Sequence, residues 1–135
     1  MKVIDNFLEL DSFNHFKNII TGQYFPWYFN NQKVLEDNKL DNYQFINIFK
    51  DGNTAMPLLD IFKKKLNVSN DMNSDCLISI FYINTNNGYT YFETGEKIKS
   101  VENRLITFDN KLKHYGTTST NTQTRIVLNL CYEKN

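Results

Sequence analysis

Histidine and arginine are scarce in this chain, so the few that occur are the first candidates for chemistry. The histidines are His15 and His114, and the arginines are Arg104 and Arg125. A neutral imidazole can bind a metal ion or move a proton near neutral pH. A planar guanidinium can hold a carboxylate through two parallel hydrogen bonds, in a geometry that lysine cannot reproduce. His114 and Arg125, eleven residues apart (125 − 114 = 11), are therefore the first pair to place in the fold.

The pattern around this pair predicts a carboxyl-terminal half made of β-strands. Strands are predicted over Leu77–Asn84, Tyr89–Glu93, Arg104–Phe108 and Arg125–Tyr132. Thr85–Gly88 contains Asn-Gly, which favours a tight hairpin turn between the first two strands. His114 would then lie in a loop after the third strand, where site residues often occur. Arg125 would begin the final strand.

Two helices are predicted before these strands. Asp11 or Ser12 can cap the first helix, and Gly22 can end it. Its apolar face would carry Phe13, Phe16, Ile19 and Ile20. The second helix fits Thr54 to Leu66, with Pro57 in its first turn.

The segment between the helices has two parts. Tyr24–Phe29 is aromatic and is interrupted by Pro26, so it is predicted to be extended and packed on the core. Residues 30–42 are polar and predict a loop. The order of elements predicts an α+β, mainly β protein of a single domain, residues 1–135, with both helices packed on one antiparallel sheet.

Composition restricts the function classes. The chain has 135 residues with 15 basic and 15 acidic side chains, so its formal net charge is zero. A neutral chain has no overall field that would gather polyanions, and general nucleic-acid binding is not expected. No apolar run approaches the length of a membrane span. Two cysteines provide no disulfide framework, and a cytoplasmic location is expected.

Several segments, in order, resemble the 2-oxoglutarate/Fe(II)-dependent oxygenases, and within them the prolyl-hydroxylase-like members of bacteriophages and marine viruses. The matching segments are Ile80–Thr90, Ser100–Phe108, Lys113–His114 and Arg125–Asn129, preceded by Ile4–Leu8 and Phe25–Tyr28. The resemblance implies a double-stranded β-helix, a jelly-roll-like pair of sheets with helices on one side. It also implies a hydroxylase that uses Fe(II) and 2-oxoglutarate as cofactors and acts on a substrate that the sequence does not identify.

The resemblance also implies roles for particular residues. The family binds iron through a His-x-Asp pair and a distal histidine, leaving positions open for 2-oxoglutarate and oxygen. His114 matches the distal metal ligand, and Arg125 matches the residue that binds the far carboxylate of 2-oxoglutarate. Tyr82 matches a position whose hydroxyl supports this cosubstrate.

The chain departs from the family at the first metal-binding motif. The His-x-Asp position falls on Ser69-Asn70-Asp71, so the aspartate is present and the histidine is a serine. Asp71 is therefore the second predicted metal ligand, with Asp75 as a competing candidate. The chain before Ser69 is also shorter than in relatives. A hydroxyl is a poor substitute for imidazole on Fe(II), so weak metal binding is expected.

Each candidate residue also has an ordinary structural interpretation. Asp71 can be a solvated loop acid, and His114 an ordinary loop residue. Arg125 can pair with an acid at the end of a sheet, and Tyr82 can be a core aromatic residue. His15, in the middle of a helix, is interpreted as a surface residue. Arg104 is interpreted as structural.

Three functions remain open on the sequence. The first is an Fe(II)/2-oxoglutarate-dependent dioxygenase of the hydroxylase type. The second is a catalytically inactive protein that keeps the β-helix fold and binds a ligand or a partner. The third is an unrelated small binding module whose aromatic residues are simply core. Whether Asp71, His114 and Arg125 converge in space distinguishes the third from the other two.

Overall fold

The structure confirms a mainly β chain that carries two helices. The computed structural model describes residues 1–30, 44–46, 56–69 and 76–134. The helices are α1 (Leu10–Ile20) and α2 (Met56–Leu66). The strands in the described ranges are β1 (Lys2–Ile4), β2 (Tyr28–Asn30), β3 (Gln44–Ile46), β4 (Val68–Ser69), β5 (Leu77–Tyr82), β6 (Tyr89–Phe92), β7 (Lys97–Lys99), β8 (Arg104–Asp109), β9 (His114–Gly116) and β10 (Val127–Lys134).

The strands form antiparallel sheets. A five-stranded sheet has the order β1-β8-β5-β10-β4, and a three-stranded sheet has the order β7-β6-β9. β2 and β3 form a separate two-stranded pair. Neither α1 nor α2, the helices in the described part of the chain, has the length and apolar character that a membrane span requires.

The helices pack on one face of the five-stranded sheet. Helical spacing places Phe13, Phe16 and Ile20 on the same side of α1, and all three are buried. They join Phe62 of α2 around Phe81 of β5, whose side chain is fully buried. The ring centroids of Phe62 and Phe81 are 5.0 Å apart, in an edge-to-face arrangement. Both helices thus pack on one sheet, as the sequence predicts.

The other face of the five-stranded sheet packs against the three-stranded sheet. Side chains alternate along β5, so Ile80 and Tyr82 point away from the helices. They form a second core with Ile106 and Phe108 of β8 and with Phe92 of β6. We call the volume between these two sheets the intersheet space.

The predicted hairpin between β5 and β6 is wrong. β5 pairs with β8 and β10, whereas β6 pairs with β7 and β9, so the two strands belong to different sheets. Neither Asn87 nor Gly88 has the positive φ that the expected turn requires. Side-chain hydrogen bonds hold the crossing segment instead: Asn84 Nδ2 donates to Thr124 O (2.8 Å), and Asn86 Oδ1 accepts from Gly88 N (2.9 Å). Hydrogen bonds to distant residues, and not the local preference of Asn-Gly for a turn, therefore determine the conformation of this segment.

The predicted cap of α1 and the predicted burial of the aromatic segment also need correction. α1 begins at Leu10, Glu9 is its N-cap, and no side chain caps it. Asp11 therefore lies in the first turn, where its charge still favours the helix. In the aromatic segment, Phe25 packs on the helix-side core, but Tyr24 is 90% exposed.

The contacts of Arg104 agree with its interpretation as a structural residue. Its Nε donates to Asp5 Oδ1, and its Nη2 donates to Asp5 Oδ2 at 3.0 Å. The hydrogen bond with Arg104 lowers the pKa of Asp5. The neighbouring Asn103, which is buried, binds both the N–H and the C=O of Leu8 through its side-chain amide. These contacts attach the amino-terminal segment to β8.

Candidate carboxylate-binding site

Arg125 lies beside the intersheet space, held by neutral groups. It lies two residues before the first residue of β10, so the prediction that Arg125 begins the final strand is wrong. Its Nε donates to Ser100 Oγ at 2.9 Å. Its Nη2 donates to Thr90 Oγ1 at 3.3 Å and to the carbonyl oxygen of Tyr89 at 3.5 Å. Its guanidinium carbon lies 5.7 Å from the ring centroid of Tyr82.

No carboxylate neutralises this cation within the described ranges. The ion pairs found there are Lys17–Glu102 and Arg104–Asp5. Desolvation lowers the pKa of Arg125, and the nearby Tyr82 phenol partly opposes this effect. A guanidinium nevertheless remains charged at all physiological pH values. A partly buried cation with neutral partners is a favourable position for an incoming anion, since a carboxylate would replace the water that the side chain has lost.

Two glycines make room for the guanidinium. A Cβ atom on Gly88 would lie 2.7 Å from Arg125 Cδ and 2.9 Å from Asn86 Oδ1. A Cβ atom on Gly116 would lie 3.1 Å from Arg125 Nη1. The first of these contacts is far closer than van der Waals contact allows. A methyl group at Gly88 would therefore force Arg125 or Asn86 to shift, whereas at Gly116 the guanidinium would have to move by only a few tenths of an ångström.

If Arg125 binds the far carboxylate of 2-oxoglutarate, as the family resemblance implies, Gly88→Ala should weaken that binding while leaving the protein folded. The added methyl group displaces the Arg125 stem, and small errors in the position of a binding group are costly, so we expect about a tenfold loss of affinity. Calorimetric titration with 2-oxoglutarate measures the loss, and thermal unfolding confirms the folded state. A folded Gly88→Ala variant with wild-type affinity would contradict the predicted displacement of Arg125.

Tyr82 and Thr90 fix the inner end of the site. Tyr82 is fully buried, and its hydroxyl donates to Thr90 Oγ1 at 2.7 Å. Burial raises the pKa of Tyr82, so the phenol stays protonated and keeps donating. Thr90 Oγ1 thus accepts from both Tyr82 and Arg125. The polar contact of Tyr82 is with Thr90.

His114 lies on the same side of the three-stranded sheet as these residues. It begins β9, so the prediction that it belongs to a loop is wrong. It is directly opposite the buried Phe92 of β6, and directly opposed residues share a face of the sheet. Its ring centroid is 4.7 Å from that of Phe108 in the intersheet core. His114 is nevertheless exposed to solvent.

The hydrogen bonding of His114 determines what its ring can do. Nδ1 lies 3.1 Å from the carbonyl oxygen of Leu112. Because a carbonyl oxygen can only accept, Nδ1 must carry the proton in this hydrogen bond. In the neutral ring Nε2 then has a free lone pair, as a metal-binding imidazole requires. Gly116 lies two residues further along β9, about 7 Å from His114 along the strand, and a Cβ atom built there would be 3.1 Å from Arg125 Nη1.

Iron requires more ligands than the described residues provide. Asp71 and the competing Asp75 lie outside the described residues. Ser69 ends β4, where its backbone is opposite Glu133 of β10. In the described part of the chain, no group of three or more His, Cys, Asp or Glu residues could hold a metal ion. Of the predicted iron ligands the structure therefore describes only His114, and one imidazole does not make a metal site. His15 is exposed on α1.

The sequence did not identify Thr90, Ser100, Gly88 or Gly116 as parts of the site. Alternation along β6 could have identified Thr90, because it is the one polar residue on the buried face of that strand. Ser100 and the two glycines carry no such signal, since their roles depend on where Arg125 lies. No protein-family model, curated protein or solved structure matches the chain. Function is therefore inferred from the residues of this chain and their contacts.

Proposed function

We propose that the protein is an Fe(II)/2-oxoglutarate-dependent dioxygenase-like protein of the hydroxylase type. The observation that carries the proposal is the Arg125 guanidinium. It is partly buried, lies beside the intersheet space, and has neutral hydrogen-bond partners only, within the described ranges. Arg125 would bind the far carboxylate of 2-oxoglutarate through its fork of N–H groups. His114 lies on the same side and can present Nε2.

The order of the strands supports a double-stranded β-helix as the finer description of the fold. β5, β8 and β10 belong to the five-stranded sheet, whereas β6, β7 and β9 belong to the three-stranded sheet. The chain crosses between the sheets after β5, β7, β8 and β9, and every described strand pair is antiparallel. Repeated crossing between two packed antiparallel sheets is typical of jelly-roll folds.

The roles of the residues follow from their contacts. Arg125 would bind and orient the dicarboxylate, and Ser100 and Thr90 hold its guanidinium in place. Tyr82 keeps Thr90 oriented and closes the inner end of the site against water. In the proposed reaction oxygen is the oxidant. If bound, iron would activate it, while 2-oxoglutarate would supply two electrons by losing CO2 to become succinate and the substrate C–H bond would supply the other two. Asp71 and His114 are the proposed metal ligands.

Formation of succinate tests the enzymatic proposal. The protein supplied with Fe(II), 2-oxoglutarate and oxygen should form succinate. His114→Ala should form none, because it lacks one of the two proposed metal ligands. Succinate is quantified by chromatography, and a reaction without protein corrects for spontaneous decarboxylation. Wild-type protein that forms no more succinate than His114→Ala would exclude turnover.

The second candidate is a catalytically inactive ligand-binding protein with the same fold. Ser69 favours it, because a serine stands where the family has its first iron-binding histidine. The carboxylate site does not depend on Ser69, since none of the contacts of Arg125 involve it. Binding of 2-oxoglutarate without any succinate would select this candidate. The absence of both would exclude the two proposals together.

A further inference from the structure

The outer face of the three-stranded sheet combines tyrosines with lysines. Register places Tyr91 of β6 opposite Lys97 of β7 on one side and opposite Tyr115 of β9 on the other. Tyr89 lies opposite Lys99. Directly opposed residues share a face, and Thr90 and Phe92 occupy the inner face, so these residues point away from the intersheet space. We call this surface the tyrosine–lysine face.

The rings on this face form a short column. Tyr91 and Tyr115 stack with centroids 5.2 Å apart and an interplanar angle of 10°. Lys97 Nζ lies 5.5 Å from the ring centroids of both Tyr89 and Tyr91. Tyr115 stacks on Tyr91 with one side of its ring, yet 54% of the residue is exposed. The column can therefore be extended by another flat ring.

The charges on the face favour an anion. Lys97, Lys99 and Lys113 are exposed. Lys113 directly precedes β9 and accepts a backbone hydrogen bond from Glu93 N (3.0 Å), so continued alternation puts it on the side of Tyr115. Two exposed acids, Glu93 and Glu96, lie between β6 and β7, and Glu93 Oε1 accepts from the backbone N–H of Lys113 at 3.3 Å. The face is therefore locally basic although the whole chain is neutral.

We propose that the tyrosine–lysine face binds single-stranded nucleic acid, with bases stacked on Tyr115 and phosphates held by the surrounding lysines. Exposed aromatic rings beside basic residues are how many proteins bind single strands without sequence preference. A duplex does not offer its bases for stacking, so the geometry selects single strands. This site is local, and it is compatible with a neutral chain that has no long-range attraction for polyanions. It is independent of Arg125, which lies on the opposite side of the same sheet.

Fluorescence anisotropy with a labelled oligothymidine of about twelve nucleotides, in about 50 mM salt, tests the proposal. Tyr115→Ala should weaken binding by at least about fivefold, since stacking of one base is removed. Tyr115→Phe keeps the ring and should retain affinity. If the three lysines each contact a phosphate, a plot of the logarithm of the association constant against the logarithm of the salt concentration should have a slope of about −2.

Matched variants on other surfaces make the test specific. Tyr24 is 90% exposed on the segment after α1, and Lys64 is exposed on α2. Tyr24→Ala and Lys64→Ala should bind as the wild type does, whereas Lys113→Ala should bind more weakly. Equal binding by Tyr115→Ala and wild type, equal affinity for the corresponding duplex, or no measurable binding at all would each overturn the proposal. Loss of 2-oxoglutarate binding in Arg125 variants has no bearing on this result.

Discussion

Arg125→Ala should reduce the affinity for 2-oxoglutarate by about 10- to 100-fold. Hydrogen bonds to a charged partner contribute about 1.5–3 kcal/mol, and about 1.4 kcal/mol corresponds to a tenfold change in affinity. The described contacts of the guanidinium are with neutral oxygen atoms, so its charge is available to the ligand. Calorimetric titration measures the change directly.

Arg104→Ala is the matched control for this experiment. It removes the other arginine of the chain, whose guanidinium is paired with Asp5. We expect unchanged affinity for 2-oxoglutarate and a loss of stability below about 1 kcal/mol, as is usual for exposed ion pairs. Arg125→Lys keeps the charge but loses the planar fork, so its affinity should be intermediate. Wild-type affinity in Arg125→Ala would refute a carboxylate site at this residue.

The stability of the protein provides a second measurement of the same site. A ligand present at about 100 times its dissociation constant stabilises the folded state by about 2.7 kcal/mol. Adding 2-oxoglutarate should therefore raise the melting temperature of the wild-type protein and of Arg104→Ala. Without ligand, Arg125→Ala should unfold somewhat below the wild-type temperature, because the buried Ser100 hydroxyl loses its hydrogen bond from Arg125, but no anionic partner among the described residues is left unpaired. The variant is thus expected to lose the ligand response without losing the fold.

The fold was predictable wherever apolar periodicity was strong. The buried face of α1 follows from apolar residues spaced three or four positions apart, and strand β5 follows from its run of apolar residues. Phe16 and Phe81 are the buried residues that these patterns predict. The strands that pair with β5 were not predictable, because β5 does not pair with β6, the next strand in the sequence. Asn87-Gly88 has the local preference for a hairpin, but hydrogen bonds from Asn84 and Asn87 to residues more than thirty positions away hold a crossover. Such distant contacts leave no periodic trace in a sequence.

The sequence singled out Arg125 and His114 of the candidate site but not the neutral residues around Arg125. Arg125 and His114 stand out because their residue types are rare in this chain and few other residues share their chemistry. Ser100 and Thr90 belong to common residue types, and only the approach of β6 and the end of β7 to Arg125 gives them a role. Gly116 is important because a Cβ atom there would meet the guanidinium. A single sequence does not record that proximity.

Ser69→His should increase the affinity for a divalent metal by at least about a hundredfold. The residue lies at the end of β4, and its backbone is paired with the end of β10. In the proposed alignment it occupies the place of the first imidazole ligand, so the substitution would complete a set with Asp71 and His114. Even the loss of outer-shell partners typically costs 10–100-fold in metal affinity, and a direct ligand should contribute at least the upper value. Titration with Mn(II), an oxidation-resistant substitute for Fe(II), measures the gain.

Three variants decide whether that gain has the proposed origin. Ser69→Ala should bind Mn(II) as weakly as the wild type, because neither side chain supplies a nitrogen ligand. Combining Ser69→His with His114→Ala, or with Asp71→Ala, should abolish the gain, since each removes another member of the set. If Ser69→His also raises succinate formation, the missing imidazole is what limits turnover in the natural chain. If it binds Mn(II) no better than Ser69→Ala while remaining folded, the alignment of Ser69 with the iron-binding histidine is wrong. The carboxylate site at Arg125 would then have to be explained without a neighbouring metal.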